Sequence, residues 1–300
     1  MTKSIGTRKI RAIRIDMAPR PISAFILVII TGTFAAIASA QSVPPEIQPV
    51  VNESVQLSRP IIEGRSAIVV DAGSGRVLFD KNATFRQPAA SMQKVLTALV
   101  VIQEGNLSKP VTITQSDTMV EPSKVYLRAG ETYTRLQLLQ ALLVKSGNDA
   151  ARALARDNAG SIPAFAYKMN RLALYLGAQN SNFVNPNGLP AEGQYSCARD
   201  IAIIARTAYR SPTIRNIVSM KTLDFARPGR GIITYKNTNK LLVRAPFCNG
   251  MKTGYTDAAG HCLVSSGRGN GRDAIVVVMH STKAGIWNDS FKLLSWGLGS

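Results

Sequence analysis

The stretch "SAIVVDAGSGRVLFD" near the start of the chain and the apolar run "DAIVVVMH" near its end both have strand character. The first reads as a strand, a glycine-bearing turn at 72–75 and a second strand, hence a β-hairpin. Strand character returns late, at "GIITYKN", "NGMKTG" and "CLVSSG". Between these ends the text is helical: "TRLQLLQALLV", "DAARALARDNA" and "PAFAYKMNRLALYLG", broken by "KSGN" and "GS", then a run from Ala198 to Tyr209. Strands at both ends of a helical block predict an α+β fold. Its central antiparallel sheet joins the first hairpin to the late strands, with helices flanking it and an all-helical insertion. The last segment, "GIWNDSFKLLSWGL", has helical spacing and is expected to pack on that sheet, with Trp287 and Trp296 in the core. No internal repeat is visible, so residues 61–300 read as one domain.

Ahead of that domain, residues 1–40 have the three parts of a secretory signal: a basic leader to Arg20, the apolar "ISAFILVIITGTFAAIA", and the small-residue pattern "ASA". Cleavage after Ala40 is expected, the alternative being an uncleaved anchor. Residues 41–60 are polar and proline-bearing, a flexible lead-in. The working part is therefore exported, and the expected location is the periplasm.

The formal charge is +18; the first forty residues hold six Lys or Arg against one Asp, which leaves +13 for the rest. In an exported protein that balance does not point to nucleic acid. It fits a solvated basic surface or weak contact with anionic envelope polymers. Cys197, Cys248 and Cys262 are too few for a disulfide scaffold and match no metal-site spacing, so they read as free core thiols and no metal or cofactor is expected.

The helix "AASMQKVLTALV" buries Met92, Val95, Leu96, Leu99 and Val100 at three-and-four spacing, yet carries Ser91 and Lys94 three apart on one face. The chain has two histidines, His261 and His280. Neither accompanies a nucleophile motif, so both read as structural and a Ser-His-Asp triad has no support. Lysine can replace histidine as a base if burial and a second cation depress its pKa, which is about 10.4 when unperturbed. Ser91 then becomes a nucleophile and Lys94 the amine that takes its proton, with the helix N-terminus favouring a developing oxyanion. Alone, Ser-x-x-Lys is a weak signal, common on solvated helix faces.

Two further segments strengthen it. "KSGND" places Ser146, Gly147 and Asn148 in a polar break between helices, and "MKTGYT" places Lys252, Thr253, Gly254 and Tyr255 on a strand. In order and separation the three segments resemble the motif set of penicillin-binding proteins and serine β-lactamases. "VVDAGSGRVLFDKNA", "LLVKSGNDAARALA", "NFVNPNGLP", "YSCARDIA", "KNTNKLL" and "NGMKTGYTDAAGHCLVSSG" extend the likeness to the D-alanyl-D-alanine carboxypeptidase branch, from about Arg65 to Trp296. The resemblance implies a β-lactamase/transpeptidase-like fold and a serine hydrolase acting on peptidoglycan stem peptides, with β-lactams as covalent inhibitors. It implies Ser91 as nucleophile, Lys94 as base and Ser146 as proton relay. It further implies that Asn148 holds the substrate amide, that Lys252 supplies positive potential, that Thr253 binds the terminal carboxylate and that Gly254 lets substrate lie along the strand edge. The backbone N–H groups of Ser91 and Tyr255 would form the oxyanion hole.

Other readings stay open at this point. Ser146 and Asn148 by themselves read as helix caps, Thr253 and Gly254 as strand and turn, and "NPNGLP" (Asn185, Asn187, Gly188) as a turn framing the cleft. Glu192, the natural candidate for activating a deacylating water, lacks the Leu-Asn flank of the β-lactamase loop, so penicillin is expected to inhibit. A D,D-endopeptidase uses the same machinery. A binding protein that keeps the fold without turnover is the non-enzymatic alternative. The chain ends just past Trp296, so neither a C-terminal β domain nor a C-terminal membrane helix is expected.

Overall fold

In the computed structural model, residues 58–299 are described; the export-signal segment 1–40 and residues 41–57 of the lead-in lie outside them. The chain begins with β1 (Ser66–Asp71) and β2 (Val77–Lys81), then a 3-10 turn (Ala90–Gln93) leading into α1 (Lys94–Gln103). Next come β3 (Pro110–Thr112), α2 (Gln115–Thr118), β4 (Thr132–Thr134) and α3 (Arg135–Gln140), which passes into a π turn (Ala141–Lys145). Helices α4 (Asn148–Ala159), α5 (Ile162–Leu176), α6 (Ala198–Arg210) and α7 (Pro212–Val218) follow. The chain closes with β5 (Thr222–Arg227), β6 (Gly231–Lys236), α8 (Leu241–Arg244), β7 (Cys248–Thr256), β8 (Gly260–Gly269), β9 (Arg272–Ser281) and α9 (Gly285–Gly297).

Five strands form one antiparallel sheet in the order β2-β1-β9-β8-β7. The first hairpin thus meets the late strands as expected, β1 against β9, with Ser66 opposite Met279 and Asp71 opposite Ala274. The unbroken apolar text of β9 has a direct cause, because both its faces are covered. Ile275, Val277 and Met279 enter one core with the helical block, while Ala274, Val276 and Val278 enter a second core with α8 and α9. A strand of period two between two apolar layers has no solvent face to mark with polar residues. Helix α9 packs on the sheet, as its spacing predicts.

Several local expectations change. "GIITYKN" forms β6, but it pairs with β5 in a separate two-stranded sheet instead of joining the central one. The hairpin braces the loop before β4: the Tyr235 hydroxyl donates to the Val125 carbonyl at 3.0 Å, and Arg230 pairs with Glu131 at 2.7 Å. The helix expected from Ser91 opens as a 3-10 turn and becomes α-helical at Lys94. Trp287 and Trp296 are half-buried, not core: Trp296 sits edge-on to Phe79, and Trp287 lines the cleft described below. All three cysteines are buried and free; burial pushes Cys197 and Cys248 up to about 11 and Cys262 up to about 12. No helix among the described residues is long and apolar enough to cross a membrane.

Leu263 on β8 is wholly buried in the core shared with α9. Leu263→Ala is expected to lower the unfolding free energy by about 2–5 kcal/mol through lost transfer energy and the cavity left behind. Urea unfolding followed by circular dichroism checks this; a change under about 1 kcal/mol is inconsistent with a closed core at that position.

Candidate active site

Three segments far apart in sequence meet at β7, the edge strand of the central sheet. The 3-10 turn sets Ser91 half-buried at the mouth of a cleft, with Lys94 fully buried one turn on. Lys94 Nζ lies 2.6 Å from Ser91 Oγ, 2.7 Å from Asn148 Oδ1 and 2.9 Å from the Asn187 carbonyl oxygen. The last two atoms only accept. A neutral amine has two N–H bonds and one lone pair, so once both carbonyls are served the lone pair is left for the Ser91 hydroxyl, which also donates to the Asn187 carbonyl at 3.3 Å. The Asn148 amide is oriented for this because its Nδ2 donates to the Pro122 carbonyl.

Electrostatics favour that neutral form. Burial holds the Lys94 ammonium well below the ordinary lysine range, and the Lys252 charge adds to the effect against an opposing pull from Asp149. Lys252, equally buried, is brought down by burial to about 7. Its Nζ donates to the Thr253 carbonyl at 2.8 Å and reaches Thr253 Oγ1 at 3.4 Å. A proton on Lys252 places a second positive charge near Lys94 and resists protonation of its amine.

The backbone around these groups is held away from relaxed geometry. Ala90, Ser146 and Met251, each in or next to a motif, have φ of +47°, +69° and +89°. For non-glycine residues this costs about 1–3 kcal/mol each, sustained only where the surroundings over-determine the chain. Gly254 shows how closely β7 approaches: a Cβ there would sit 3.0 Å from the Ala89 carbonyl and 3.1 Å from Ser91 N. The cleft, about 340 Å³, is lined by Ser91, Ser146, Asn148, Thr253, Gly254 and Tyr255. Six of the eight residues singled out from sequence therefore share one cleft, and Lys94 and Lys252 lie buried against it. Ser146 lines the cleft, but among the described residues its hydroxyl makes no hydrogen bond to Ser91, Lys94 or Lys252.

Sequence reasoning missed four contributors. The "NPNGLP" turn frames the cleft and also delivers the Asn187 carbonyl to Lys94. It closes tightly because Asn185 Oδ1 accepts from Gly188 N at 2.8 Å, and a Cβ on Gly188, at φ +85°, would lie 2.0 Å from the Ala90 carbonyl. Thr238 accepts a 2.7 Å hydrogen bond from Thr253 Oγ1. The Pro122 carbonyl orients Asn148. Asp149, buried beside it, accepts from Val125 N and Leu127 N at 3.1 Å each and so ties the 122–127 loop to the start of α4; burial raises its carboxyl despite these bonds. The Asn-Pro-Asn-Gly turn chemistry was the one sequence signal available. His261, read as structural, lines the cleft with its ring stacked on Tyr255 at 4.4 Å; His280 lies away from it, 2.9 Å from Arg65 Nη2. Glu192 is exposed and does not line the cleft. A larger groove of about 880 Å³, between the end of α1 and α5, contains none of these groups. No cluster of three or more potential metal ligands occurs among the described residues.

With this geometry in hand, comparison with known families is decisive: the D-alanyl-D-alanine carboxypeptidase family model matches residues 53–283. The chain belongs to the D-alanyl-D-alanine carboxypeptidase family. It is 36% identical over 249 residues to D-alanyl-D-alanine carboxypeptidase DacB2 of Mycobacterium tuberculosis, covering 80% of this chain and 84% of that one. It is 34% identical over 222 residues to DacF of Bacillus subtilis, covering 72% of this chain and 57% of that longer relative. Among solved structures, the Mycobacterium tuberculosis D-alanyl-D-alanine carboxypeptidase superposes with a TM-score of 0.76 at 34% identity, covering 80% of this chain and 93% of that one. A Streptomyces DD-transpeptidase gives 0.76 at 31% identity, covering 81% and 100%. The family's β-lactamase/transpeptidase-like fold is therefore that of this chain.

Gly188→Ala is expected to push the 185–189 turn off Ala90 and withdraw the Asn187 carbonyl from Lys94. Labelling of Ser91 by a fluorescent penicillin should slow by more than about tenfold, a loss of the size seen for one missing polar contact to a reacting group. Gly105→Ala shares the positive φ but meets nothing within 4 Å, so it serves as the strain-only control. Equal labelling of the two variants would remove Asn187 from the site.

Proposed function

We propose that this chain is a serine D-Ala-D-Ala carboxypeptidase that removes the terminal D-alanine from peptidoglycan stem pentapeptides and is acylated by β-lactams. The observation that carries the reading is the Lys94 amine, 2.6 Å from Ser91 Oγ with its other two partners both carbonyl oxygens. On this reading Ser91 Oγ attacks the carbonyl carbon of the penultimate D-alanine while its proton passes to Lys94. The oxyanion is received by the backbone N–H groups of Ser91 and Tyr255, and the close approach of Gly254 to Ser91 N supports placing the two together. Collapse of the tetrahedral intermediate breaks the C–N bond. The proton returns from Lys94 by way of Ser146 to the departing amine, and D-alanine leaves. Water then attacks the acyl ester, giving up its proton to Lys94; the ester C–O bond breaks, and Lys94 returns that proton to the departing Ser91 Oγ.

The remaining residues orient substrate. Asn148 has one amide N–H beyond the one given to Pro122, enough to meet a substrate carbonyl. Lys252 and the Thr253 hydroxyl face the terminal carboxylate, and the peptide lies along β7 as an added strand. Residues 61–300 form the catalytic domain, preceded by an export signal at 1–40 and a lead-in at 41–60, so that it works in the periplasm. Weak contact of its basic surface with anionic envelope polymers belongs to the same reading.

Mass spectrometry of a defined muropeptide pentapeptide should show loss of one alanine. Ser91→Ala is expected to abolish the loss, and Lys94→Ala to slow it by about 10²–10⁴, with the fold intact by circular dichroism; robust turnover by either variant refutes the assignment. The pH profile follows from the two lysines. The rate needs Lys94 neutral and Lys252 charged, so kcat/KM should fall at low pH as Lys94 gains its proton and fall again as pH rises through the Lys252 value of about 7. Lys252→Arg keeps the charge and should erase the alkaline limb while leaving the acid limb. An alkaline limb that persists in that variant assigns it to another group.

A further inference from the structure

The cleft has an end wall built from two elements outside the three motifs. Past Lys252, the Thr253 hydroxyl donates to Thr238 Oγ1 at 2.7 Å, so the 238–240 segment runs beside the proposed carboxylate contact. Two residues further on, the Lys240 ammonium lies 5.7 Å from the centroid of the Trp287 ring. Trp287 and its neighbour Ile286, in the first turn of α9, line the same cleft as Ser91, as does Thr238. Ile286 is buried, Trp287 half-buried and Lys240 exposed. The indole is therefore held between the cleft and a cation, within the range at which a ring face attracts an ammonium.

Resting on the reading of Thr253 as the carboxylate contact, we propose that Trp287, held by Lys240, closes the leaving-group end of the cleft. It thereby selects a single terminal residue with a free α-carboxylate over a cross-linked one. Two features support this. The wall is bulky and apolar where a second peptide chain would have to pass, and the positive charge behind it complements a carboxylate but gains nothing from an amide or a long side chain. A free terminal D-alanine ends in a charge beside Thr253, with Lys252 buried against the cleft and Lys240 beyond the indole both adding positive potential, and its methyl group needs little room. The acceptor strand of a cross-link places a whole side chain and peptide beyond the scissile bond, and on this proposal the indole stands in its path. Selectivity of this kind is a difference of two affinities, set by an obstacle to one substrate as well as by contacts with the other.

The test compares two defined substrates, a disaccharide pentapeptide and a cross-linked tetrapeptide dimer, followed by mass spectrometry with the full chain. Trp287→Ala should raise the ratio of dimer cleavage to pentapeptide trimming by at least about tenfold, the lower end of what pocket size alone gives. Lys240→Gln, on an exposed side chain and so without consequence for folding, should raise KM for the pentapeptide severalfold with kcat little changed. It should leave dimer cleavage as it was. Penicillin labelling of Ser91 in each variant establishes that the machinery is intact. A labelled Trp287→Ala protein with an unchanged ratio overturns the proposal; if that variant does not fold, an unchanged KM in Lys240→Gln does so. Absence of labelling in the unsubstituted protein would instead overturn the serine-peptidase reading on which this one rests.

Discussion

The site depends on one buried amine whose charged form the fold disfavours. An ammonium at Lys94 would sit fully buried beside a second buried lysine, and its three near neighbours are two carbonyl oxygens and a hydroxyl, with no carboxylate in contact. Burial and like charge both act on the proton, so the free energy that keeps Lys94 neutral comes from the fold as a whole. On the proposed reading, that free energy gives a serine hydroxyl, inert in water, a base already within hydrogen-bond distance. The geometry also makes the neutral state specific. With both N–H bonds assigned to Asn148 and Asn187, the remaining lone pair has one direction left.

The rest of the architecture reads as the means of holding that arrangement. Edge strand β7 brings Lys252 up behind the cleft. The start of α4 presents Asn148, and the 185–189 turn presents a carbonyl on the remaining side. These elements are fixed to one another by groups with no chemistry of their own. The Asp149 carboxylate pins the backbone at Val125 and Leu127, and the β5–β6 hairpin braces the same loop through Tyr235 and Arg230. Positive φ at Ala90, Ser146 and Met251 is the counterpart. Each turns the chain sharply enough to aim the adjacent group at the cleft, at a local cost that the two cores flanking the sheet must offset.

The two-layer packing of the central sheet explains why such strain can be borne. β9 and β1 are buried on both faces, and each layer of helices uses an alternate set of their side chains. A core of that kind has little freedom to relax toward a local distortion. Only β2 and β7 keep an edge, and β7 is the one turned toward the cleft. The motif residues and a free strand edge are thereby placed side by side, which suits a peptide that binds as an added strand.

Much of this was written in the order of residues. The hairpin, the helical block, the apolar strand β9 and the burial of Lys94 on an apolar helix all follow from periodicity, because side-chain spacing has to match whichever face is covered. The resemblance of three short motifs singled out eight residues, six of which line one cleft while Lys94 and Lys252 lie buried against it. Folding alone decided the contacts that depend on distance in space and not on residue type. The Asn187 carbonyl is a backbone atom and leaves no mark in the amino-acid letters; the Thr253–Thr238 bond joins hydroxyls 15 residues apart. β6 looked like part of the central sheet because pairing partners are set by the path of the chain, whereas strand character is local. Trp287 looked like core because an indole is apolar by composition, and only the position of α9 turned one of its edges to the cleft. Residue types determine what each segment can do, while closing the chain on itself determines which of those capacities face one another.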